Sequence, residues 1–509
     1  MSGSENPPES TQAREQAEGA ALSGKYAGFP LPVADALRVL KNFLSQTGAN
    51  LVAQAFAFFS TAYVARRVQA EGFGWIGFAQ GFLTYFTLIT DLGLRTIGMR
   101  EVAKHRDEVS RWVGHILGLR VLLASASTLV FLGTVVLLPK SAGYKLFLAE
   151  YGLMIFTSAL LLDWAFQGLE RMELVALGET LRAAGFLALV LIGLHHRSQI
   201  FRLPLFTVLS QLFPVALLMG IFRWKFHRIR PTFDWSAWKD LLKQSLPISL
   251  GGLTLQFATG LDVVLLGFLR PESEVGFFSA ASRLAFMPTS FTAVLGFAMF
   301  PVMARYWKDE PSRLGEIVRV LGRVLVLMAL PMVVAGWVFA PQVLSLVFGR
   351  AFLPAASSFR ILLGYLLLAH IYCPFYYLLP ACGKEKAFMR AMMTGAVVGL
   401  AANIVLTPLW GGPGAASAKV LAHAAILLSM YRTTRKEIFS MSLSHDLLRS
   451  AVIATPMGLL MALTPAPWLV KLGAGLIAYG CLMVIWHRRM GTGIVHAISM
   501  NRRAVEGEG

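Results

Sequence analysis

Long apolar runs recur along most of this 509-residue chain. Each run is about 20 residues long, the length of α-helix needed to cross the hydrocarbon core of a bilayer. Hydrophobic residues make up 56% of the sequence and charged residues 15%, whereas charged residues are about 25% of a typical soluble domain. Because backbone polar groups in lipid must be satisfied within their own segment, such runs fold as helices. The sequence therefore predicts an all-α polytopic membrane protein.

The apolar runs predict about fourteen transmembrane helices, joined by loops of no more than roughly 25 residues. The predicted spans are 42–65, 74–94, 113–138, 146–168, 174–194, 203–222, 246–269, 277–302, 319–347, 355–380, 388–408, 413–431, 447–464 and 467–487. Loops this short leave no room for a soluble catalytic or binding domain. Residues 1–30 are polar and lack an apolar core, so we expect a disordered cytoplasmic tail there and not a signal peptide.

The formal net charge of +18 comes largely from basic loops on one side of the membrane. Lys and Arg concentrate in alternate loops, for example between Arg95 and Arg111 and between Arg223 and Lys243. The intervening loops carry only scattered basic residues. By the positive-inside rule, this asymmetry predicts that both termini are cytoplasmic. It also accounts for the charge of the chain without a nucleic acid as partner.

An internal repeat relates the two halves of the chain at a spacing of 202 positions. The Leu40–Asn42 segment recurs as Leu242–Gln244, and Gly74 recurs as Gly276. Each copy spans six predicted helices, an even number, so both copies have the same orientation in the membrane. We therefore expect two six-helix lobes in a parallel pseudo-twofold repeat, followed by two C-terminal helices.

A turn of Gly-x-Glu-basic character supports the same duplication, because Gln167–Arg171 matches Cys382–Lys386. Two lobes of this kind are typical of alternating-access transporters, in which the substrate site lies between the lobes near the midplane of the bilayer. The predicted division of the chain is a tail 1–30, an N-lobe 31–224, a C-lobe 225–436, and a region 437–509 with helices 13 and 14 and a cytoplasmic tail.

Ionisable side chains within the apolar runs mark the predicted functional site, because charges at membrane depth are costly and face a cavity or one another. Basic groups outnumber acidic ones, which favours an anionic substrate, and the forked guanidinium of Arg suits a phosphate. The predicted substrate-binding cations are Arg120, Arg182, Arg283, Arg360 and Lys419. The candidates for ion coupling or for ion pairs are Asp163, Asp262, His370 and His423.

Structural ion pairs are the alternative interpretation of these charges. Taking about 1.5 Å of rise per residue, several oppositely charged side chains lie at similar predicted depths. Those depths are compatible with the pairs Arg120–Asp163 and Asp262–Arg283. Glu179 lies one helical turn from Arg182, which is compatible with a third pair.

Three motifs resemble those of a known family: Asp163–Met172, Gly72–Gly74 with Asp91–Leu94, and Asp262 with Val275–Ala281. The resemblance is to the polysaccharide transporter family, the oligosaccharide (O-antigen type) flippase branch of the multidrug/oligosaccharidyl-lipid/polysaccharide exporter superfamily. It covers roughly residues 36 to 487. It implies non-enzymatic translocation of an undecaprenyl-pyrophosphate-linked oligosaccharide across the bacterial inner membrane for cell-surface polysaccharide synthesis. A polysaccharide polymerase and chain-length machinery are the partners that such a role implies.

Two rival functions remain open at this point. A cation-coupled multidrug antiporter of the same superfamily favours acidic cavity residues, and here only Asp163 and Asp262 stand against five basic groups. A membrane glycan polymerase or glycosyltransferase needs a substantial outer loop or paired carboxylates, and the predicted outer loops are short and nearly carboxylate-free. We predict no catalytic residue and no cofactor. The three cysteines lack the spacing of a disulfide framework or a metal site.

Overall fold

The computed structural model describes residues 33–226, 234–439 and 443–490, which are helical apart from turns and three 3₁₀ segments. The α-helices are α1 Val33–Asp91, α2 Leu94–Lys104, α3 Val109–Leu137, α4 Ala142–Leu160, α5 Asp163–Gly168, α6 Met172–Gly193, α7 Arg202–Phe226, α8 Trp235–Leu269, α9 Glu272–Phe286, α10 Thr289–Asp309, α11 Pro311–Val338, α12 Ala340–Phe348, α13 Ala356–Ala381, α14 Glu385–Trp410, α15 Gly412–Glu437, α16 Leu443–Leu463 and α17 Trp468–Met490. The 3₁₀ segments are Arg106–Glu108, Arg197–Phe201 and Arg350–Ala355.

Nine helical segments in the described part of the chain are long and apolar enough to cross a membrane, and three shorter apolar helices add to them. The predicted all-α, multi-span fold is therefore confirmed, whereas the number of fourteen spans stays a prediction. The predicted tail 1–30 and the end of the C-terminal region, 491–509, lie outside the described residues.

The first predicted span and most of the second lie within α1, which is broken at Gln69. Gln69 has a φ of 61° and a ψ of −175°, which interrupts the helical backbone between the two halves. Its side-chain amide donates to the carbonyl of Arg66 at 2.7 Å, so it satisfies an acceptor that the break leaves free. In the C-lobe the corresponding break, at Arg270 and Pro271, separates α8 from α9.

Helix boundaries repeat at the spacing found in the sequence. α1 begins at Val33 and α8 at Trp235, while α3 begins at Val109 and α11 at Pro311. Both pairs are 202 positions apart. The spacing grows after the third predicted span, where the C-lobe contains the additional helix α12 and a 3₁₀ segment.

The turn before α6 shows that the sequence match between the two lobes was displaced by two residues. This turn and its counterpart before α14 are helix ends of the Schellman type, in which one carbonyl accepts from the N–H five residues on. The bonds are Arg171 N–H to Phe166 O and Lys384 N–H to Leu379 O, both 2.8 Å. The residues with positive φ are Glu170 at 59° and Gly383 at 69°. Equivalent residues are thus 213 apart, two fewer than in the match of Gln167–Arg171 with Cys382–Lys386.

The two lobes meet where α1 crosses α9 at Gly74 and Gly276. A Cβ atom on Gly74 would lie 1.8 Å from the carbonyl oxygen of Glu272, and a Cβ atom on Gly276 would lie 1.8 Å from that of Ala70. Only glycine permits the helix backbones to approach this closely. Because these two glycines are the pair related by the repeat, each lobe presents the same surface to the other. We call this the glycine contact.

Further contacts extend the glycine contact. One turn along α1, a Cβ atom on Gly77 would lie 2.1 Å from Ser279 Oγ, and these residues are also 202 positions apart. The ring of Phe73 packs edge-on against Phe352, with centroids 5.7 Å apart. Lys140 on the loop before α4 forms an ion pair of 3.0 Å with Glu272 at the start of α9. The lobes are therefore in contact at the end of the molecule predicted to face outward.

We predict that Gly74→Ala and Gly276→Ala each lower the melting temperature of the detergent-purified protein. The added methyl group collides with backbone that cannot rotate away, and overpacking of this kind typically costs about 1–3 kcal/mol. Gly133→Ala is the matched control, because nothing lies within 4 Å of the site. Equal melting temperatures for all three variants would contradict the close approach of α1 and α9.

Candidate functional site

Arg120 lies buried beside the break between α4 and α5. The last carbonyls of an α-helix have no partner within the helix. Arg120 supplies one, because Nη1 donates to Leu161 O at 3.0 Å and Nη2 donates to Ser158 O at 2.8 Å. The carboxylate of Asp91 lies 3.7 Å from Nη2. The Arg120 guanidinium is thus bound by groups of its own lobe.

Asp163 is the first residue of α5 and has partners different from the predicted one. Its Oδ1 accepts the backbone N–H of Trp164 at 2.9 Å, and its Oδ2 pairs with the guanidinium of Arg95 on α2. Leu92 and Gly93, with φ of 39° and 76°, turn the chain from α1 into α2. The predicted Arg120–Asp163 bridge is therefore wrong, because this turn brings Arg95 to Asp163.

Arg182 forms the pair that helical spacing predicts. Its Nη2 and Nε donate to Glu179 Oε2 at 2.6 Å and 3.0 Å. Both residues lie on α6, one turn apart, and the Arg182 side chain is 42% exposed. The predicted Arg182–Glu179 pair is confirmed.

A buried polar network, which we call the C-lobe latch, joins α8, α14 and α15. It consists of Asp262, Asn403, Thr407 and Lys419, each less than 6% exposed. Lys419 Nζ pairs with Asp262 Oδ2, Asn403 Nδ2 donates to Asp262 Oδ1 at 3.0 Å, and Thr407 Oγ1 donates to Asn403 Oδ1 at 2.9 Å. The predicted Asp262–Arg283 pair is therefore wrong, because Asp262 is held inside the C-lobe by Lys419.

The two histidines are hydrogen-bonded within the C-lobe. His423 Nδ1 donates to Lys419 O at 2.9 Å, and its ring packs edge-on against Tyr365, with centroids 4.5 Å apart. His370 Nδ1 donates to Leu366 O at 2.8 Å, which leaves Nε2 to accept from the Thr292 hydroxyl at 2.9 Å. These hydrogen bonds and the ring contact are those of buried histidines that have a packing role.

Arg283 is the predicted site residue that joins the two lobes. From α9 it donates to Gln80 Oε1 at 2.5 Å and to Thr61 Oγ1 at 3.2 Å, both on α1. Its guanidinium carbon lies 5.2 Å from the centre of the Phe73 ring. The position 202 residues earlier is Gly81, so the repeat places a glycine in the N-lobe where the C-lobe carries a cation. The charge at the lobe interface is therefore asymmetric.

The structure does not assemble the five predicted cations around one point. Arg360 Nε donates to Trp337 O at 3.1 Å, at the C-terminal end of α11 in its own lobe. Arg120 and Arg182 have partners in the N-lobe, and Lys419 has its carboxylate partner in the C-lobe. Arg283 is thus the member of the set whose described partners lie across the interface.

Sequence reasoning missed the neutral polar residues that bind these charges. Gln80, Thr61 and Asn403 lie inside predicted spans, where an amide or hydroxyl needs a partner. Gln54 is a further example, since it accepts from the Ser290 hydroxyl of the other lobe at 2.9 Å. The available signal was polarity within an apolar run, which applies to amides as well as to charges.

Comparison with known sequences identifies the family. The pattern of the family described as "Polysaccharide biosynthesis protein" matches residues 39–307, which is more than half of the chain. The chain belongs to this family. A second pattern, that of the MatE family, matches residues 247–405 in the C-lobe. The predicted resemblance to polysaccharide transporters of this superfamily is therefore confirmed.

Two curated relatives have names that concern glycan transport. A Shigella dysenteriae protein named "Putative O-antigen transporter" is 23% identical over 414 residues, which are 76% of this chain and 97% of the relative. A Haloferax volcanii protein named as a probable low-salt glycan biosynthesis flippase is 26% identical over 200 residues. That match spans 39% of this chain and 40% of the archaeal relative.

Solved structures share the fold. The lipid II flippase MurJ in an inward closed conformation superposes with a TM-score of 0.72 at 13% identity, covering 87% of this chain and 99% of that one. An inward-facing multidrug resistance transporter of the MATE family has a TM-score of 0.61 at 13% identity, covering 81% and 98%. The fold is thus one found in transporters of this superfamily.

We predict that Asp262→Ala strongly destabilises the purified protein, because it removes the carboxylate from the buried ammonium of Lys419. Breaking a buried pair in this way typically costs about 3–5 kcal/mol. Replacing both members with apolar residues, Asp262→Leu with Lys419→Met, is expected to recover most of the loss in thermal unfolding. Glu310→Ala is the control, since its pair with Arg313 is exposed and is worth at most about 1 kcal/mol. A double variant as unstable as the single one would contradict the latch.

Proposed function

We propose that this protein is a flippase that moves a polyprenyl-pyrophosphate-linked oligosaccharide across the bacterial inner membrane by alternating access. The observation that carries the proposal is the glycine contact, in which repeat-related surfaces of two lobes close one end of the interface. Membership of the polysaccharide biosynthesis family supports the proposed substrate class. No covalent chemistry is required, so the protein acts as a transporter and not as an enzyme.

The glycine contact suits a surface that opens and closes. Backbone meets backbone at Gly74 and Gly276, so separation of the lobes does not require interlocked side chains to disengage there. The N-lobe and the C-lobe have their own internal ion pairs, which keep each lobe intact while the interface changes. We propose that the lobes rock about a site between them, as expected for a parallel repeat of six-helix units.

Arg283 is the residue that we propose binds the phosphate of the substrate. Its present partners, Gln80 and Thr61, are neutral groups of the opposite lobe. A pyrophosphate offers charged acceptors, and hydrogen bonds to charged acceptors are stronger than those to neutral ones. The substrate therefore competes favourably for the guanidinium when the lobes separate. Arg182, half-exposed on α6, is a second candidate cation in the N-lobe.

The other predicted site residues receive structural roles in this proposal. Arg120 and Arg360 bind carbonyls at helix ends, and the Asp163 carboxylate holds α2 through Arg95. Asp262 and Lys419 stabilise the C-lobe latch, and the histidines pack beside it. Transport in our scheme does not depend on ion binding at Asp262.

The membrane orientation and the partners also belong to the proposal. The basic loops support cytoplasmic termini and an outward-facing glycine contact. The relatives named for O-antigen transport and for glycan biosynthesis support a role beside the enzymes of polysaccharide assembly. A polymerase and chain-length machinery would then receive the flipped substrate.

A cation-coupled multidrug antiporter is the second candidate, favoured by the match of the MatE pattern to residues 247–405. Such a function requires an acidic group accessible to a cationic drug or to a coupling ion. Asp262, within the matched segment, is 5% exposed and paired with Lys419, which disfavours that function.

We predict that Arg283→Gln lowers the rate of lipid-linked oligosaccharide movement in proteoliposomes at least about tenfold, since hydrogen bonds to charged groups are worth about 1.5–3 kcal/mol. Arg283→Lys keeps the positive charge but lacks the forked donors of a guanidinium, so we expect a rate between those of the wild type and Arg283→Gln. Arg270→Gln is the control, because Arg270 donates to Pro408 O of its own lobe at 2.7 Å. Equal rates for wild type and Arg283→Gln would contradict the role of Arg283. Gradient-driven efflux of a cationic dye without oligosaccharide movement would favour the antiporter.

A further inference from the structure

A groove of about 430 Å³ lies in the N-lobe at the end predicted to be cytoplasmic. Its walls come from α5, α6, α7 and the turn between α5 and α6. The apolar wall includes Phe166, Leu169, Leu174 and Ile221, and the cations at the groove are Arg171 and Lys225. We infer that this groove binds an anionic phospholipid of the cytoplasmic leaflet.

The two cations fit a headgroup phosphate. Arg171 immediately precedes α6, and Lys225 lies in the last turn of α7. The Arg171 side chain is 53% exposed, and the hydrogen bond from its Nη1 to Glu173 Oε1, at 3.3 Å, uses one of the five guanidinium donors. Basic side chains in pockets between helices on the cytoplasmic side are suited to anionic headgroups.

The aromatic residues place the groove at the surface of the bilayer. Trp224 lines the groove and is 84% exposed, although it is a large and mostly apolar side chain. Tryptophan is enriched at the level of lipid headgroups, where its ring lies between water and hydrocarbon. Phe226 also lines the groove, and the centre of its ring lies 5.8 Å from the Lys225 ammonium. A polar headgroup and an apolar chain are therefore accommodated side by side.

The combination of walls and charges favours a lipid over a soluble anion. A free phosphate would be attracted by the charges of Arg171 and Lys225, but it would not bury the apolar surface of Leu174, Ile221 and Trp224. A phospholipid covers both, and it reaches the groove laterally from the membrane. The site is also separate from the glycine contact, since α1 and α9 contribute none of the residues that line it.

The test uses the full chain in vesicles of phosphatidylcholine with a minor fraction of brominated lipid, which quenches nearby tryptophan. The signal of Trp224 is the difference between the wild type and Trp224→Phe. We expect brominated phosphatidylglycerol to quench Trp224 at lower mole fractions than brominated phosphatidylcholine. Each basic residue near a membrane surface contributes roughly fivefold, so Arg171→Gln with Lys225→Gln should reduce the preference by up to about thirtyfold.

Lys308→Gln with Arg313→Gln is the matched control, because it removes the same charge from exposed C-lobe positions at the same end. It is expected to keep the preference for the anionic lipid. Equal quenching by both lipids in the wild type would overturn the inference, as would an unchanged preference in the Arg171→Gln, Lys225→Gln variant. Displacement of the brominated lipid by millimolar inorganic phosphate would also overturn it, in favour of a soluble-anion site.

Discussion

The contact of α1 with α9 at Gly74 and Gly276 determines how the two lobes are arranged. Because a Cβ atom at either position would meet a backbone oxygen at 1.8 Å, the helices cross at a distance that only glycine allows. That distance in turn lets Arg283 reach Gln80 and lets Phe73 pack against Phe352. The interface of the lobes therefore depends on the absence of two side chains more than on any one attractive group.

Charges inside the lobes follow a second physical constraint, the cost of an uncompensated charge at membrane depth. The C-lobe meets it with a carboxylate and an ammonium in direct contact, Asp262 and Lys419. The N-lobe meets it with carbonyls at a helix break, which Arg120 binds. Since the partners of these groups lie within one lobe, their interactions do not depend on the arrangement of the interface. Arg283 differs, because its described partners Gln80 and Thr61 lie on the other lobe.

Apolar run length and the 202-residue repeat predicted the membrane fold and the equivalence of Gly74 and Gly276, although the contact between these two glycines was found only in the structure. The one-turn spacing of Glu179 and Arg182 also predicted their ion pair. The pairs between different helices were not predicted, because depth along a helix says nothing about the direction in which a side chain points. Asp163 illustrates this, since Arg95 reaches it through a turn with positive φ at Leu92 and Gly93. The sequence match between the two turns was wrong by two residues for a related reason. Similar residues in two segments do not identify the residue that adopts the left-handed conformation, which is Glu170 in one turn and Gly383 in the other.

Alternating access requires that the glycine contact opens during transport, and a disulfide across it tests this most directly. A Cβ atom on Gly77 would lie 3.0 Å from Ser279 Cβ, so a slight separation reaches the roughly 3.5–4.5 Å that a disulfide spans. The measurement is oligosaccharide movement by Gly77→Cys with Ser279→Cys in liposomes, oxidised and then reduced, beside the single Gly77→Cys variant. We expect movement to stop on oxidation of the double variant and to return on reduction. Wild-type movement by the fully cross-linked protein would contradict the account.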